Sequence, residues 1–202
     1  MNGAFDPQPV VLTGEVVRLE PLDLRHATGL LQAAADKTIW NYMPLSGFPD
    51  LAAVEGWIRE SLAGADVVFA IVLKETGVAV GSTRYMDIRR AHRGLEIGFT
   101  WLAPGVQRTR VNTEAKYLLL KHAFEELGAV RVQLKTDARN TRSQRAIERI
   151  GGVMEGAHRR HMLTWDGHVR DTIYYSILDS EWPTAKRRLE AMLGLVTPAP
   201  EA

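Results

Sequence analysis

Hydrophobic positions change their spacing several times along the chain, and each change predicts a different element. Residues 67–73 form a continuous apolar run, and residues 130–136 alternate apolar with polar side chains; both patterns are typical of strands. Residues 113–127 instead repeat apolar side chains at helical spacing, and Gly128 follows as a stop. A strand, a long helix and another strand in succession predict a right-handed crossover between parallel neighbours.

The remaining periodic segments extend this unit into one domain. Strands are predicted at residues 10–21 (a pair or one bent strand), 78–86, 95–102, 153–163 and 171–178. Helices are predicted at residues 24–34, 51–62, 143–150 and about 181–195. We therefore predict an α/β (α+β) fold with a twisted, mostly antiparallel sheet of about seven strands and four or five helices. Its core spans residues 10–182 approximately, with loose ends at residues 1–9 and 196–202.

Composition excludes several classes of function but does not indicate which function the protein has. The 202 residues include 25 basic and 24 acidic side chains, a formal net charge of +1, which favours neither nucleic acid nor an anionic membrane as a partner. The absence of cysteine excludes disulfides, cysteine–zinc sites and thiol nucleophiles. No apolar run is long enough to span a bilayer, and the first residues lack a signal-peptide pattern, so we expect a cytoplasmic protein. His158, His161 and His168 lie on a predicted strand and hairpin without completing carboxylates, so no metal site is predicted.

Residues 107–115 join a predicted strand to the long helix and are the first candidate for binding chemistry. A helix N-terminus presents backbone N–H groups and the positive end of the helix dipole, which suits a pyrophosphate. Arg108 and Arg110 add side chains that can form charge-assisted bonds to phosphate. The alternative is an ordinary strand-to-helix loop whose arginines are solvated. A Walker-type loop is not indicated because the Gly-Lys-Ser/Thr sequence is missing.

Three segments resemble the GNAT superfamily of N-acetyltransferases, and most closely its RimJ/RimL type, over about residues 10–182. The family loop reads Q/R-x-x-G-x-G/A; Gln107 matches its first position, whereas Arg110 and Asn112 replace the usual small residues. Residues 96–104 resemble the preceding strand. Asn140-x-x-Ser143, followed by residues 146–152, resembles the next helix and its glycine turn.

The resemblance implies a GNAT-like fold in which acetyl-CoA lies between two splayed, parallel central strands. The family pairs the pantetheine amides with strand backbone and the pyrophosphate with the loop. The residues thereby expected to bind the cofactor are Thr100, Trp101, Leu102, Gln107, Arg108, Thr109, Arg110, Val111, Asn112, Thr113, Asn140 and Ser143. The early aromatic loop is expected to line the acceptor pocket through Trp40, Tyr42 and Met43, although it can also simply cover the sheet.

Glu96 and Ser143 are the candidate catalytic residues. Family members often take a catalytic carboxylate from the strand that carries Glu96, which makes Glu96 the candidate base. The alternatives are a solvent-facing residue or an ion pair with Arg84 or Arg93. The family tyrosine that protonates the leaving thiolate is missing, its place falling near Glu148, so Ser143 is the candidate acid. Its alternative role is N-cap of its own helix.

We therefore expect transfer of an acetyl group from acetyl-CoA to a primary amine, either a protein N-terminus or a small molecule. The protein is expected to act as a monomer or homodimer, with no nucleic acid or membrane partner. Two alternatives stay open. One is a non-catalytic acyl-CoA sensor or RNA-docking module on the same fold, and the other is use of a longer donor such as succinyl-CoA.

Overall fold

Eight strands form one sheet in the computed structural model, which describes residues 5–195. The strands are β1 (Leu12–Thr13), β2 (Val17–Pro21), β3 (Val67–Leu73), β4 (Ala79–Arg89), β5 (Gly94–Leu102), β6 (Arg131–Asp137), β7 (Val153–Leu163) and β8 (Val169–Leu178). The helices are α1 (Ala27–Ala33), α2 (Leu51–Ala63), α3 (Arg110–Lys121), α4 (Thr141–Arg149) and α5 (Trp182–Leu193). The predicted order of elements is confirmed, and residues 10–21 supply a strand pair rather than one bent strand.

The spatial order of the sheet is β1-β2-β3-β4-β5-β6-β8-β7, and every pairing is antiparallel except β5 with β6. The apolar run of β3 explains how two layers of helices cover this sheet. Phe69 and Ile71 face the core that includes α3 and α5, whereas Val68 and Ala70 face the core that includes α1 and α2. A strand that is buried on both faces cannot alternate with polar residues, hence its continuous hydrophobicity.

Helix α3 is anchored to the edge of the sheet by a buried carboxylate. Glu114 is 2% exposed, and its two oxygens accept backbone N–H bonds from Glu15, Val16 and Val17 at 2.7–2.8 Å. Three donors compensate the carboxylate for its lost hydration. This contact fixes the first turns of α3, where the candidate cofactor loop enters the helix.

The chain start departs from the predicted loose end. Phe5 is 6% exposed and belongs to the core that α3 covers, and Asp6 pairs with Arg90 at 2.7 Å. Phe5 and Pro7 are thus buried, so the prediction of a frayed start is wrong for this part of residues 1–9. The rest of the predicted loose ends, residues 1–4 and 196–202, lie outside the described residues. Within residues 5–195, no helix has both the length and the apolarity that crossing a membrane requires.

Candidate functional site

The two parallel strands pair over a short distance and then separate. Their ladder comprises three residue pairs and ends where Glu96 of β5 meets Gln133 of β6. Further along β5, Phe99 has a φ of 50°, and the register with β4 shifts so that Phe99 and Thr100 together oppose Thr83. A bulge of this kind bends its strand away from the regular ladder. The β6-facing edge of β5 beyond Glu96 is thus outside the ladder.

The candidate cofactor loop follows this edge directly. Helix α3 begins at Arg110, three residues earlier than the hydrophobic pattern predicted, and Thr109 caps it by accepting a bond from the Val111 N–H at 3.3 Å. Arg110 therefore adopts helical angles in the first turn, and its guanidinium turns away to the carbonyl of Leu193 in α5. The residue with left-handed backbone is Arg108, whose φ is 62°. The loop reaches its sharp turn without glycine.

Side chains behind the loop hold it against both neighbouring elements. Gln107 donates to the carbonyl of Leu102 at 2.9 Å and accepts from Arg142 of α4 at 2.8 Å. Thr113 accepts from Arg149 at 3.0 Å, whereas Val111 packs into the core at 3% exposure. Both side chains therefore have structural partners. Asn112, in the same turn, is half-buried.

The arrangement fits a pyrophosphate. An exposed arginine at 108 precedes a capped helix start, and Arg142 crosses over from α4. Cations next to free helix N–H groups are the elements of an anion site. Gln107, Arg108, Thr109 and the first turn of α3 thus lie together, and their role in binding the cofactor stays a prediction.

Of the three strand residues expected beside the cofactor, Trp101 and Leu102 are buried and Thr100 is part of a polar chain. The indole of Trp101 lies 5.2 Å from that of Trp40, centroid to centroid. The hydroxyl of Thr100 lies 2.8 Å from that of Thr83 and accepts from Lys116 at 2.7 Å. Any contact of Trp101 with a cofactor would therefore come from its backbone.

Glu96 lies at the point where the strands separate and is 1% exposed. One oxygen, Oε2, accepts from Gln133 at 2.9 Å and pairs with Lys135 at 3.1 Å. The other, Oε1, is buried and has no hydrogen-bond partner within residues 5–195. A Cβ at Gly98 would lie only 2.7 Å from Oε1, so the glycine leaves space for this carboxylate.

The charged partner of Glu96 is Lys135. The alternatives of solvent exposure, and of pairing with Arg84 or Arg93, are wrong, since Arg84 pairs with Asp66 and Arg93 binds the Gly128 carbonyl.

Sequence reasoning missed Lys116, the most unusual charge in the molecule. It is 7% exposed on α3, and no carboxylate of the described chain lies within 4.0 Å of its amine. Burial lowers the pKa of Lys116 to about 7, and the charge of Glu96 only partly opposes this shift. A titratable group with such a strongly shifted pKa beside a cleft is a marker of functional sites. A lysine in an amphipathic helix gives no such signal in sequence.

Asn140 and Ser143 share the start of α4. The carboxamide oxygen of Asn140 accepts from the Ser143 N–H at 3.0 Å, which makes Asn140 the N-cap. The alternative interpretation of Ser143 as the cap is therefore wrong: Ser143 occupies the third helical position, half-buried. Its proposed role as an acid stays a prediction.

The early aromatic loop and the β7–β8 hairpin meet over the opposite face of the sheet. Trp40 is 1% exposed and packs between Phe48 and Trp101, so it supports the loop from beneath. Its carbonyl accepts from Trp165 at the hairpin tip at 3.1 Å. Met43 packs against the same cluster, and Tyr42, half-buried, lies under the guanidinium of Arg139.

The two tyrosines of β8 point to opposite faces, as strand alternation requires. Tyr175 is fully buried in the core, whereas Tyr174 lies on the face of Glu96, against His158 and His161. Within the part of the chain that the structure describes, no group of three or more His, Cys, Asp or Glu residues is arranged to hold a metal ion.

Arg108→Glu is expected to raise the KM for acetyl-CoA about tenfold, since charge-assisted bonds to phosphate contribute about 1.5 kcal/mol or more. The kcat should change less than twofold, because the loop is remote from Glu96 in sequence and strand position. Arg187→Glu, at an exposed site on α5, is the matched control. Equal KM values for the two variants would remove Arg108 from the phosphate site.

Comparison with known proteins agrees with this geometry. The model of the acetyltransferase (GNAT) domain matches residues 17–153. YdaF of Bacillus subtilis, whose proposed activity is ribosomal N-acetyltransferase, is 33% identical over 110 residues, which cover 54% of this chain and 59% of that relative.

Two solved structures share the whole fold. A GCN5-related N-acetyltransferase from Brucella melitensis has a TM-score of 0.89 and 32% identity, covering 96% of this chain and 87% of that one. RimJ of Mycobacterium smegmatis, solved with CoA-disulfide, has a TM-score of 0.74 and 26% identity, covering 92% and 93% respectively.

Proposed function

Because this chain belongs to the GNAT acetyltransferase family, we propose that it transfers an acetyl group from acetyl-CoA to a primary amine. The observation that carries this proposal is the pair of buried groups at the separated strands. Glu96 has an oxygen without a partner among the described residues, and Lys116 is a buried amine without a carboxylate within 4.0 Å. A buried charged group whose hydrogen-bonding capacity is not fully met is costly, so a fold retains it where a ligand or a reaction uses it.

Glu96 and Lys116 approach β5 from different sides of the sheet, and we assign their proton-transfer roles from this placement. Glu96 lies on the same face of the sheet as Gln133, Lys135 and Tyr174, and we place the acceptor on this face. Lys116 comes from α3, the helix whose first turn suits the pyrophosphate, and it bonds to Thr100 on the strand edge. Glu96 therefore receives the proton from the acceptor amine. Lys116 holds the proton that the leaving sulfur takes up.

The acetyl donor supplies an activated thioester, so a C–N bond forms as the C–S bond breaks. The protein's part is to hold the reacting groups together and to move two protons. The edge of β5 beyond Glu96 offers backbone groups for the acyl chain, and Lys116 takes the place of the missing tyrosine. Comparing the kcat of Ser143→Ala with that of Lys116→Met distinguishes between the two candidate acids.

The wild-type protein is expected to release free thiol from acetyl-CoA only when an amine is present. The measurement is a thiol-trapping assay across protein N-terminal peptides, amino acids and diamines, with succinyl-CoA as a second donor. Calorimetry with acetyl-CoA and with an RNA pool runs in parallel. Tight acetyl-CoA binding without turnover on any amine would favour the sensor, and RNA binding without acetyl-CoA binding would reject both the enzyme and the sensor.

A further inference from the structure

A second buried cation lies on the acceptor face, at the start of β8. Arg170 is 6% exposed, and no carboxylate within residues 5–195 lies within 4.0 Å of its guanidinium. Its Nε donates to Thr172 at 3.0 Å and its Nη1 to the carbonyl of Tyr42 at 3.4 Å. Both partners are neutral, so the charge itself is not compensated by direct contact.

The third nitrogen, Nη2, makes no hydrogen bond within the described chain, and it is not completely buried. Nη2 therefore keeps a small exposed area through which it can donate to a partner. Desolvation lowers the pKa of Arg170, although the charges of Asp137 and Glu96 oppose this shift. A buried guanidinium normally has a carboxylate or phosphate partner, because its lost hydration must be replaced.

A row of polar side chains connects Arg170 to Glu96. Thr172 and Tyr174 follow Arg170 on the same face of β8, and His161 bridges them, with contacts of 3.1 Å to Thr172 and 3.3 Å to Tyr174. Beyond them, Lys135 lies over the ring of Tyr174 and pairs with Glu96. Arg170 and Glu96 thus mark the two ends of one polar row.

The charges along this row do not balance. Glu96 is matched by Lys135, and Asp137 pairs with Arg139 at 2.9 Å. Arg170 is then left with a positive charge that no carboxylate of the described chain contacts. His161 does not compensate this charge, because an imidazole is either neutral or positively charged.

We propose that the acetyl acceptor carries a carboxylate as well as an amine, and that this carboxylate binds Arg170 while the amine lies at Glu96. The inference rests on the proposed function and adds the class of acceptor to it. The planar guanidinium fork suits a carboxylate. Amino acids and short peptides with a free carboxylate fit this arrangement, whereas polyamines and polycationic aminated antibiotics do not, since they bring further positive charge to Arg170.

The test compares acceptors that differ only in this charge. Linear ω-amino acids of two to six carbons and their carboxamides serve as acceptors, with acetyl-CoA as the donor. Each acceptor is assayed with the wild type, Arg170→Gln and Arg170→Lys. For the chain length that fits best, the wild type should prefer the acid over its amide at least tenfold in kcat/KM. Arg170→Gln should bring this ratio near one by raising KM for the acid, with turnover of the amide unchanged within about twofold. Arg170→Lys keeps the charge but not the fork, so its ratio should fall between those two.

Arg159→Gln is the control, because Arg159 is an exposed arginine of the same hairpin; it should retain the wild-type ratio. Calorimetric binding of the best ω-amino acid without acetyl-CoA, lost in Arg170→Gln, checks the pairing independently of turnover. Equal use of acids and amides by the wild type overturns the inference while leaving the proposed function intact. A preference that survives in a folded Arg170→Gln also overturns it. Absence of acetyl transfer to every amine overturns the proposed function instead.

Discussion

Glu96→Gln is expected to lower kcat at pH 7 about 100-fold, within the range for loss of a general base. An amine acceptor is protonated at this pH, and Glu96 is the group at the cleft that can remove its proton. The amide has nearly the same shape as the carboxylate but has no basic oxygen. Binding of acetyl-CoA should change less than about threefold, because the loop and the first turn of α3 are untouched. The measurements are steady-state kinetics and calorimetry with acetyl-CoA.

The pH dependence separates a base from a structural carboxylate. The defect in Glu96→Gln should shrink as pH rises towards the pKa of the acceptor amine, since the amine then loses its proton without help. Glu155→Gln is the matched control: Glu155 also pairs with a cation, Arg131, but it lies on the outer strand β7. A Glu96→Gln defect that stays constant with pH, or one that Glu155→Gln reproduces, contradicts the assignment.

The elements of the fold were predictable because their evidence is local. The apolar run of β3, the alternation in β6 and the helical stripe of α3 each depend on neighbouring residues alone. Their order then limits the possible topologies, since a strand, helix and strand in sequence favour the single parallel pair of β5 and β6. Local pattern also located the loop between β5 and α3. It placed the start of α3 three residues too late, because the helix begins at Arg110.

The charges within the cleft were not predictable, because their burial depends on contacts between distant segments. Lys116 is buried where β5 bends at Phe99, and no local pattern signals this bulge. Arg170 occupies an ordinary polar position of a strand. It becomes buried because the aromatic loop docks on the hairpin, where Trp165 binds the carbonyl of Trp40. Glu96 was found only through family resemblance, and its partner Lys135 was not foreseen.

Lys116→Met is expected to stabilise the fold and slow the reaction. The pKa of Lys116 is about 7 in the folded protein against 10.5 for an ordinary lysine. Between these values the unfolded chain binds a proton that the folded chain does not, so folding becomes more favourable as pH rises. Below pH 7 the full penalty applies, roughly 5 kcal/mol at 1.36 kcal/mol per pKa unit. The methionine fills similar space without charge, and it loses a hydrogen bond to Thr100 that contributes about 1 kcal/mol.

The free energy of unfolding of Lys116→Met should therefore exceed that of the wild type by about 4 kcal/mol at pH 6, and this excess should fall by roughly 2 kcal/mol between pH 7 and pH 9. Denaturant unfolding at these pH values measures it. Lys121→Met is the control, since this lysine lies on the same helix, half-exposed, and its pair with Glu125 contributes little.

Kinetics then decide whether the buried charge serves the reaction. If Lys116 holds the proton that the sulfur takes up, kcat/KM of the wild type should decline above about pH 7, and Lys116→Met should lower kcat at least tenfold and abolish this decline. A variant that is more stable and equally active would show that the lysine has no part in proton transfer. Greater stability with lost turnover instead means that the fold carries an isolated buried charge because the reaction needs it, as expected where activity and stability conflict.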